Sequence, residues 1–351
     1  MATLLDVAQA AGVSKMTVSN ALRGKSNVGA ATRQRILRIA EELGYQTNLA
    51  ARALSSGRNG ILELIVQDMD TPFYGRLAKE ISRASASRGM QLLVRQTLYS
   101  AASEKSALQL NNSLFCDALI LATPKIRADE ALQLAQSRPL MLIDDCSQTP
   151  PVSTVNTPNF EGAYQAVSHL LRQGARNIIL LGAQPQSLTM HRTDSVNGLR
   201  ISGADRAMRD AGLHLTAEQC IPLDWTLDDA RKSMHSPAFS RLSCDAIFAM
   251  SDTVAMGAVR GLADRGLRVP DDVKVIGFDG ATVSPIVTPS LSTIEIDMAS
   301  MARTIIDRLM AMLGDTADES PATRSTSTRS AEPTVDVAPF TLRARESTRT
   351  R

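Results

Sequence analysis

Five side chains within six consecutive positions, Lys15, Met16, Thr17, Ser19 and Asn20, are suited to nucleic acid. Near the start of a helix, such residues face base edges and phosphates in a major groove. Nothing comparable points to catalysis. The chain has no Walker loop, GxSxG elbow, HExxH pair or Gly-rich dinucleotide fingerprint. His169, His191, His214 and His235 lack metal-ligand spacing, and Cys116, Cys146, Cys220 and Cys244 lie far apart without a CxxC pair. Asp144-Asp145 is a neighbouring pair whose side chains would diverge on a strand; at a strand end it caps a loop. We therefore expect no catalytic residues, no metal and no cofactor.

The elements that would hold residues 15–20 can be read from their surroundings. Thr3 with Asp6 forms a capping box that opens a short helix through Ala10. Gly12-Val13 breaks that helix, and Ser14 caps a second from Lys15 to about Leu22. Helix-turn-helix packing needs a small residue at the crossing, a glycine in the turn and apolar residues facing inward. Ala8, Gly12, Val13, Val18 and Ala21 supply these in order. A third helix is expected from about Ala31 to Leu43, with Ile36, Ile39, Ala40 and Leu43 on one stripe and Gly44 at its end. Spacing alone also fits a generic three-helix bundle. Charge favours the DNA reading: residues 1–60 hold eight Lys/Arg against three acids, so this end carries +5 and the rest −3 of a total of +2. A basic head on a mildly acidic body places a nucleic-acid contact at one end.

Beyond residue 60 the pattern changes to strands alternating with amphipathic helices. Strand-like runs cover 61–66, 91–94, 118–121, 140–143, 177–181, 246–249 and 273–277, and 160–171 has helical spacing. Alternation over about 280 residues implies parallel sheets covered on both faces, with length for two lobes. The cleft between two such lobes, beyond the carboxyl ends of the strands, is the default ligand site. At 351 residues and 44% hydrophobic, the chain can bury substantial cores. No apolar run approaches the roughly 20 residues of a membrane helix. The opening Met-Ala-Thr-Leu-Leu-Asp has no signal-peptide pattern, and the scattered cysteines fit a reducing cytosol. The expected location is cytoplasmic, with no membrane partner.

The head resembles that of the LacI/GalR family of bacterial transcriptional regulators. The resemblance rests on Thr3-Leu4-Leu5-Asp6-Val7-Ala8, Ala11-Gly12-Val13-Ser14, Thr17-Val18-Ser19, Ala21-Leu22, Thr32-Arg33, Leu43-Gly44-Tyr45, Asn48 and Ala51-Arg52-Ala53-Leu54. The body resembles the family's periplasmic-binding-protein-like domain. There the similar segments include 68–74, Gly162-Ala163-Tyr164, Arg200-Ile201-Ser202-Gly203-Ala204, Ser251-Asp252, Gly277-Phe278-Asp279 and Pro289-Ser290-Leu291-Ser292-Thr293-Ile294. Together they span nearly the whole chain.

The resemblance implies an all-α helix-turn-helix head (1–46), a hinge helix and linker (47–60), and a two-lobed α/β body of two doubly wound parallel sheets (61–343). It leaves a tail at 344–351. Residues from about 314 to 334 are Ser/Thr/Pro/Asp/Arg-rich and aperiodic, and read as a disordered insertion. Lys15, Met16 and Asn20 would read bases. Thr3, Ser14, Thr17, Ser19, Asn27, Thr32 and Tyr45 would touch the DNA backbone. In the hinge, Asn48, Ala51 and Leu54 would enter the minor groove, with Leu54 as an apolar wedge. Phe73, Arg200, Trp225 and Asp279 would line the effector cleft, where aromatic faces, a charged donor and a carboxylate suit a sugar.

Several positions depart from the family pattern. Thr47 replaces a usual proline, Gly29 a usual serine cap, Ser251 a common asparagine and Thr157-Pro158 a common acidic position; 186–197 is idiosyncratic. The expected function is a dimeric repressor that binds a near-palindromic double-stranded operator under control of a sugar or sugar derivative. A purine- or nucleoside-responsive corepressed regulator is the alternative. A solute-binding protein is disfavoured by the fused head and the missing signal peptide.

Overall fold

The structure, a computed structural model, describes residues 2–22, 27–45, 59–110, 116–136, 138–147, 149–190, 193–314 and 332–349. It divides into two compact units, Met1–Asn59 and Gly60–Arg351.

The first unit holds α1 (Leu4–Ala10), α2 (Lys15–Leu22) and α3 (Ala30–Glu42). The capping box forms as expected: Thr3 Oγ1 accepts from the Asp6 amide at 3.3 Å, and Asp6 accepts from the Thr3 amide at 2.7 Å. Gly12 turns the chain between α1 and α2 at φ +63°, a region that costs a side-chain-bearing residue energy. Ser14 Oγ accepts from the Thr17 amide at 3.1 Å and satisfies one open donor at the start of α2. Val7, Ala8, Val18, Ala21, Ile36 and Ala40 form the buried core. Gly29 precedes α3 without a side-chain cap. The hinge residues Asn48, Ala51 and Leu54 lie outside the described residues, as does most of the 314–334 stretch.

The second unit contains two six-stranded sheets. Its strands are β1 (Ile61–Val66), β2 (Gln91–Gln96), β3 (Ala118–Ala122), β4 (Leu140–Ile143), β5 (Thr154–Asn156), β6 (Ile178–Leu181), β7 (Cys220–Ile221), β8 (Ala246–Ala249), β9 (Lys274–Asp279), β10 (Ser292–Ile296), β11 (Val335–Val337) and β12 (Phe340–Arg343). The first sheet runs β11-β5-β4-β3-β1-β2 and is parallel throughout. The second runs β12-β10-β9-β8-β6-β7, parallel except for β12 against β10. Strand order reverses between β1 and β3 in one lobe and between β6 and β8 in the other. In doubly wound sheets, ligand crevices open at such switch points.

Helices cover these sheets. Those that matter for the site are α4 (Pro72–Ala86), α5 (Ala101–Leu110), α6 (Ala128–Ala135), α7 (Asn159–Arg172), α8 (Pro185–Thr189), α9 (Val196–Asp210), α10 (Leu227–Ser233), α11 (Pro237–Arg241), α12 (Asp252–Asp264) and α13 (Met298–Met312). Among the described residues the chain crosses from one lobe to the other between β5 and α7, between β10 and α13, and between β11 and β12. The sequence suggests one last strand across 335–342, but the structure has two, in different sheets. Pro339 cannot donate a ladder bond, and the chain changes lobes at Ala338-Pro339. α13 leaves the second lobe and packs on α4 of the first. The 3-10 turn Glu346–Thr348 is docked, with Thr348 Oγ1 2.8 Å from His169 Nε2.

Candidate functional site

On α2, the Ser14 cap fixes the first turn, and Ser14 Oγ also lies 2.9 Å from the Thr17 hydroxyl. The buried stripe Val18 and Ala21 faces the head core, so the opposite face is turned to solvent. Lys15 is exposed, and Met16 is 72% exposed despite its apolar side chain. Asn20 and Ser19 are half-buried one turn on. Exposed Lys15 and Met16 near the start of a capped helix offer a charged donor and an apolar tip, which suits a face that meets base edges.

The expected backbone-contacting residues are less uniform. Asn27 is exposed and Thr32 half-buried at the start of α3. Thr3 is exposed, but its hydroxyl already donates to Asp6 at 2.8 Å. Tyr45 packs on the head core.

In the body, Arg200 on α9 is 3% exposed and lies at the second lobe's switch point. Its Nε donates to Asn159 Oδ1 at 2.9 Å, Nη1 to the Met250 carbonyl just beyond β8, and Nη2 to Asp279 Oδ1 at 3.4 Å. Its guanidinium carbon lies 3.7 Å from the Phe278 ring centroid and 5.4 Å from that of Trp225. Trp225 Nε1 donates at 3.0 Å to the carbonyl of Gly182, which follows β6. Arg200, Trp225 and Asp279 thus converge where β6 and β8 diverge. Phe73, at the second position of α4, is half-buried and edge-on to Tyr74, with ring centroids 5.2 Å apart. Among the described residues it has no other ring partner.

The first lobe contributes residues that motif matching passed over. Asp144, directly after β4, accepts from the Thr157 amide at 2.7 Å, the Thr157 hydroxyl at 2.8 Å and Asn159 Nδ2 at 3.1 Å. Because Asn159 also accepts from Arg200, a hydrogen-bonded chain Asp144–Asn159–Arg200–Asp279 runs from one lobe to the other. Buried Tyr74, whose hydroxyl bonds Thr123, faces Tyr99, Asp144 and Asp279. The apolar run 140–143 puts Asp144 at a strand end, where the sequence suggested only a loop cap rather than a group facing the cleft. Asn159 and Tyr74 carry no comparable signal.

Electrostatics mark the same place. Burial raises the Asp279 carboxyl to about 7, opposed by Arg200 and reinforced by Asp252 and Asp144. Burial also raises Asp144, against bonds from Thr157 and the nearby Arg200. Arg200 is pressed below its usual value by burial, with Asp279 and Asp144 pulling the other way. Backbone strain agrees. Six non-glycine residues among those described have positive φ, and five lie at or just after strand ends on this side: Leu98, Tyr99, Thr123, Asp144 and Asp279. Such conformations persist where surrounding structure over-determines them, often at ligand sites.

Ser251, at the asparagine position, is the buried N-cap of α12; its hydroxyl accepts from the Val254 amide at 3.2 Å. Among the described residues, no group of three or more His, Cys, Asp or Glu is placed to hold a metal ion. None of their helices is long and apolar enough to cross a membrane.

Comparison with known proteins agrees with both halves. Residues 3–48 match the bacterial regulatory proteins, lacI family, and residues 167–348 match a periplasmic binding protein-like domain. The HTH-type transcriptional regulator AscG of Escherichia coli (strain K12) is 32% identical over 327 residues, 92% of this chain and 94% of that protein. The structure of a transcriptional regulator CelR–cellobiose complex superimposes with a TM-score of 0.68 at 26% identity, covering 99% of this chain and all of that one. The lac repressor bound to ONPG matches in fold, with a TM-score of 0.80 at 23% identity and 99% of both chains covered. The chain belongs to the LacI family of bacterial regulatory proteins, which are DNA-binding regulators of transcription and not enzymes.

Proposed function

We propose that the protein is a repressor that binds a near-palindromic operator as a homodimer and is controlled by a sugar or sugar derivative in the cleft between the body's lobes. One observation carries the ligand reading. Arg200 lies against Phe278 and near Trp225 while bonded to Asp279, at the strand-order switch. The half-buried Trp225 ring for an apolar sugar face, beside a donor that Phe278 and Asp279 hold in place and a carboxylate acceptor for hydroxyls, forms the chemistry of a sugar site. The similarity to a regulator solved with cellobiose supports the same class.

In this reading, Arg200, Trp225, Asp279 and Phe73 bind the effector. Lys15, Met16 and Asn20 read bases in the major groove. Thr3, Ser14, Thr17, Ser19, Asn27, Thr32 and Tyr45 position the head on phosphates. Asn48, Ala51 and Leu54 form the minor-groove hinge, with Leu54 as the wedge. Two subunits place two heads on two half-sites. Effector and operator are then coupled reciprocally by about 1–3 kcal/mol.

The test is selection of random duplex DNA by the full chain, alone and with cellobiose, other sugars or purine bases. We expect a palindrome whose enrichment changes with one sugar. Response to a purine alone overturns the sugar assignment, and recovery of no preferred sequence overturns the whole reading.

A further inference from the structure

A second arginine joins the lobes beside the cleft, and neither the family motifs nor the proposed ligand contacts include it. Arg76, on α4 of the first lobe, donates from Nη1 to the Asp279 carbonyl at 2.9 Å and to the Gly280 carbonyl, both in the second lobe. These acceptors belong to a constrained turn. Asp279 has φ +99° and Gly280 φ +73°. A Cβ on Gly280 would fall 2.6 Å from Cγ of Glu295 on β10, so the turn lies flush against its own sheet. On the second lobe's side, the Gly280 amide donates to Thr293 Oγ1 at 3.3 Å and the Ala281 amide to Asp252 Oδ2 at 2.5 Å. Arg76 supplies the anchor from the other lobe. Another polar connection across the cleft, Asp144–Asn159–Arg200, passes through groups that face the ligand space.

We propose that Arg76 is the positioning residue of this cleft: its guanidinium holds the Asp279–Gly280 backbone from the opposite lobe and so sets both the aim of the Asp279 carboxylate and the closure of the lobes. The inference rests on reading the cleft as the effector site. Part-buried carbonyls that lose a charged donor must find water, and the least costly way for water to enter is for the lobes to part. Opening therefore accompanies loss of Arg76 even with no ligand bound.

Two cysteines make this measurable in the full-length protein without a known effector or operator. Half-buried Cys146 follows Asp144 in the cleft, with neighbours Asp144, Asp145, Asp194 and Arg200. Half-buried Cys244 precedes β8, at the far end of the second lobe, and its Sγ lies 3.4 Å from the Ala246 carbonyl. Iodoacetamide labelling with peptide mass spectrometry gives the ratio of Cys146 to Cys244 modification. Lobe opening raises this ratio, whereas general loosening raises both cysteines together. We expect a rise of roughly fivefold in Arg76→Met and a smaller one, about twofold, in Arg76→Lys, which keeps one donor nitrogen. Arg88→Met serves as control and should leave the ratio unchanged, because Arg88 pairs with Asp307 of α13, packed on the same lobe. An unchanged ratio in Arg76→Met overturns the proposal, as does an equal rise at both cysteines or the same rise in Arg88→Met. Should Arg76→Met not fold, Arg76→Lys decides by the same ratio. The effector reading fails separately: if none of the sugars or purines protects Cys146 in the wild-type protein, that reading falls whatever Arg76 does.

Discussion

Arg200 donates from all three guanidinium nitrogens to protein acceptors, so its position is set before any ligand arrives. Arg200→Lys keeps the charge but loses the planar fork and its stacking on Phe278. It should weaken the effector response at least tenfold, since hydrogen bonds to charged groups contribute about 1.5–3 kcal/mol. Operator binding without effector should change little, and titration calorimetry beside gel-shift measurements would separate the two. Asp279 adds a pH dependence. Its carboxyl is raised to about 7, and a ligand hydroxyl that donates to it favours the ionised form. Effector affinity should therefore rise between pH 6 and 8, and a flat profile would exclude Asp279 as the acceptor. In the head, Met16 is exposed while its neighbours on the inner face are buried. Met16→Ala should alter which bases are selected at one step of each half-site, with little loss of general DNA affinity. Uniform weakening across all sequences would instead make Met16 a non-specific contact.

At the scale of elements, the head was the most legible part of the sequence, because each of its devices is local. Thr3 with Asp6, Gly12 and Ser14 each act within three or four residues, and they appear where spacing places them. Ser14→Ala should cost the head about 1 kcal/mol, the usual value of an N-cap, read as a lower unfolding midpoint for the isolated transition of residues 1–59. The inner strands β3, β4 and β8 were equally plain, since strands buried on both faces are continuous apolar runs. Short β5 and β7, and the split between β11 and β12, were not, because three-residue or two-residue strands exist only through their neighbours. The site divides the same way. Arg200, Trp225 and Asp279 stood out by type and motif, whereas Arg76, Tyr74 and Asn159 gain meaning only when the lobes are side by side. Gly277 shows the long-range constraint most directly: a Cβ there would collide with Asp252 and come within 3.2 Å of Ala255 Cβ. Three hydrogen bonds hold that aspartate in place. Gly277→Ala should destabilise the body by about 1–3 kcal/mol, the range for overpacking a tight site, measurable by urea denaturation.

Across the whole molecule, two buried carboxyls set stability against pH in the direction opposite to ordinary acid denaturation. Asp252 is raised to about 6 by burial, in spite of bonds from Thr293, Ala281 and Ser284 and the nearby Arg345. Asp279 is raised to about 7, with Arg200, Asp252 and Asp144 facing it. In the unfolded chain both ionise near the ordinary carboxylate value, so between about pH 4 and 7 the folded state binds more protons than the unfolded one. The stability they contribute is complete below that range and is lost as pH rises through about 6 for Asp252 and about 7 for Asp279. Asp144, also raised by burial, adds in the same direction, whereas His169, held below its ordinary value by burial, loses stability as pH falls. With the carboxyls outweighing that one imidazole, the body should melt a few degrees higher at pH 5.5 than at pH 8, at fixed ionic strength. The two groups are separable because only one faces the cleft. Asp252→Asn removes the titration nearer pH 6 while effector affinity keeps its pH dependence. Asp279→Asn removes the titration nearer pH 7 together with the effector response. If Asp252→Asn abolished the effector's pH dependence as well, the two carboxyls would titrate as one unit through the loop that joins them at Ala281, and neither value would belong to a single residue.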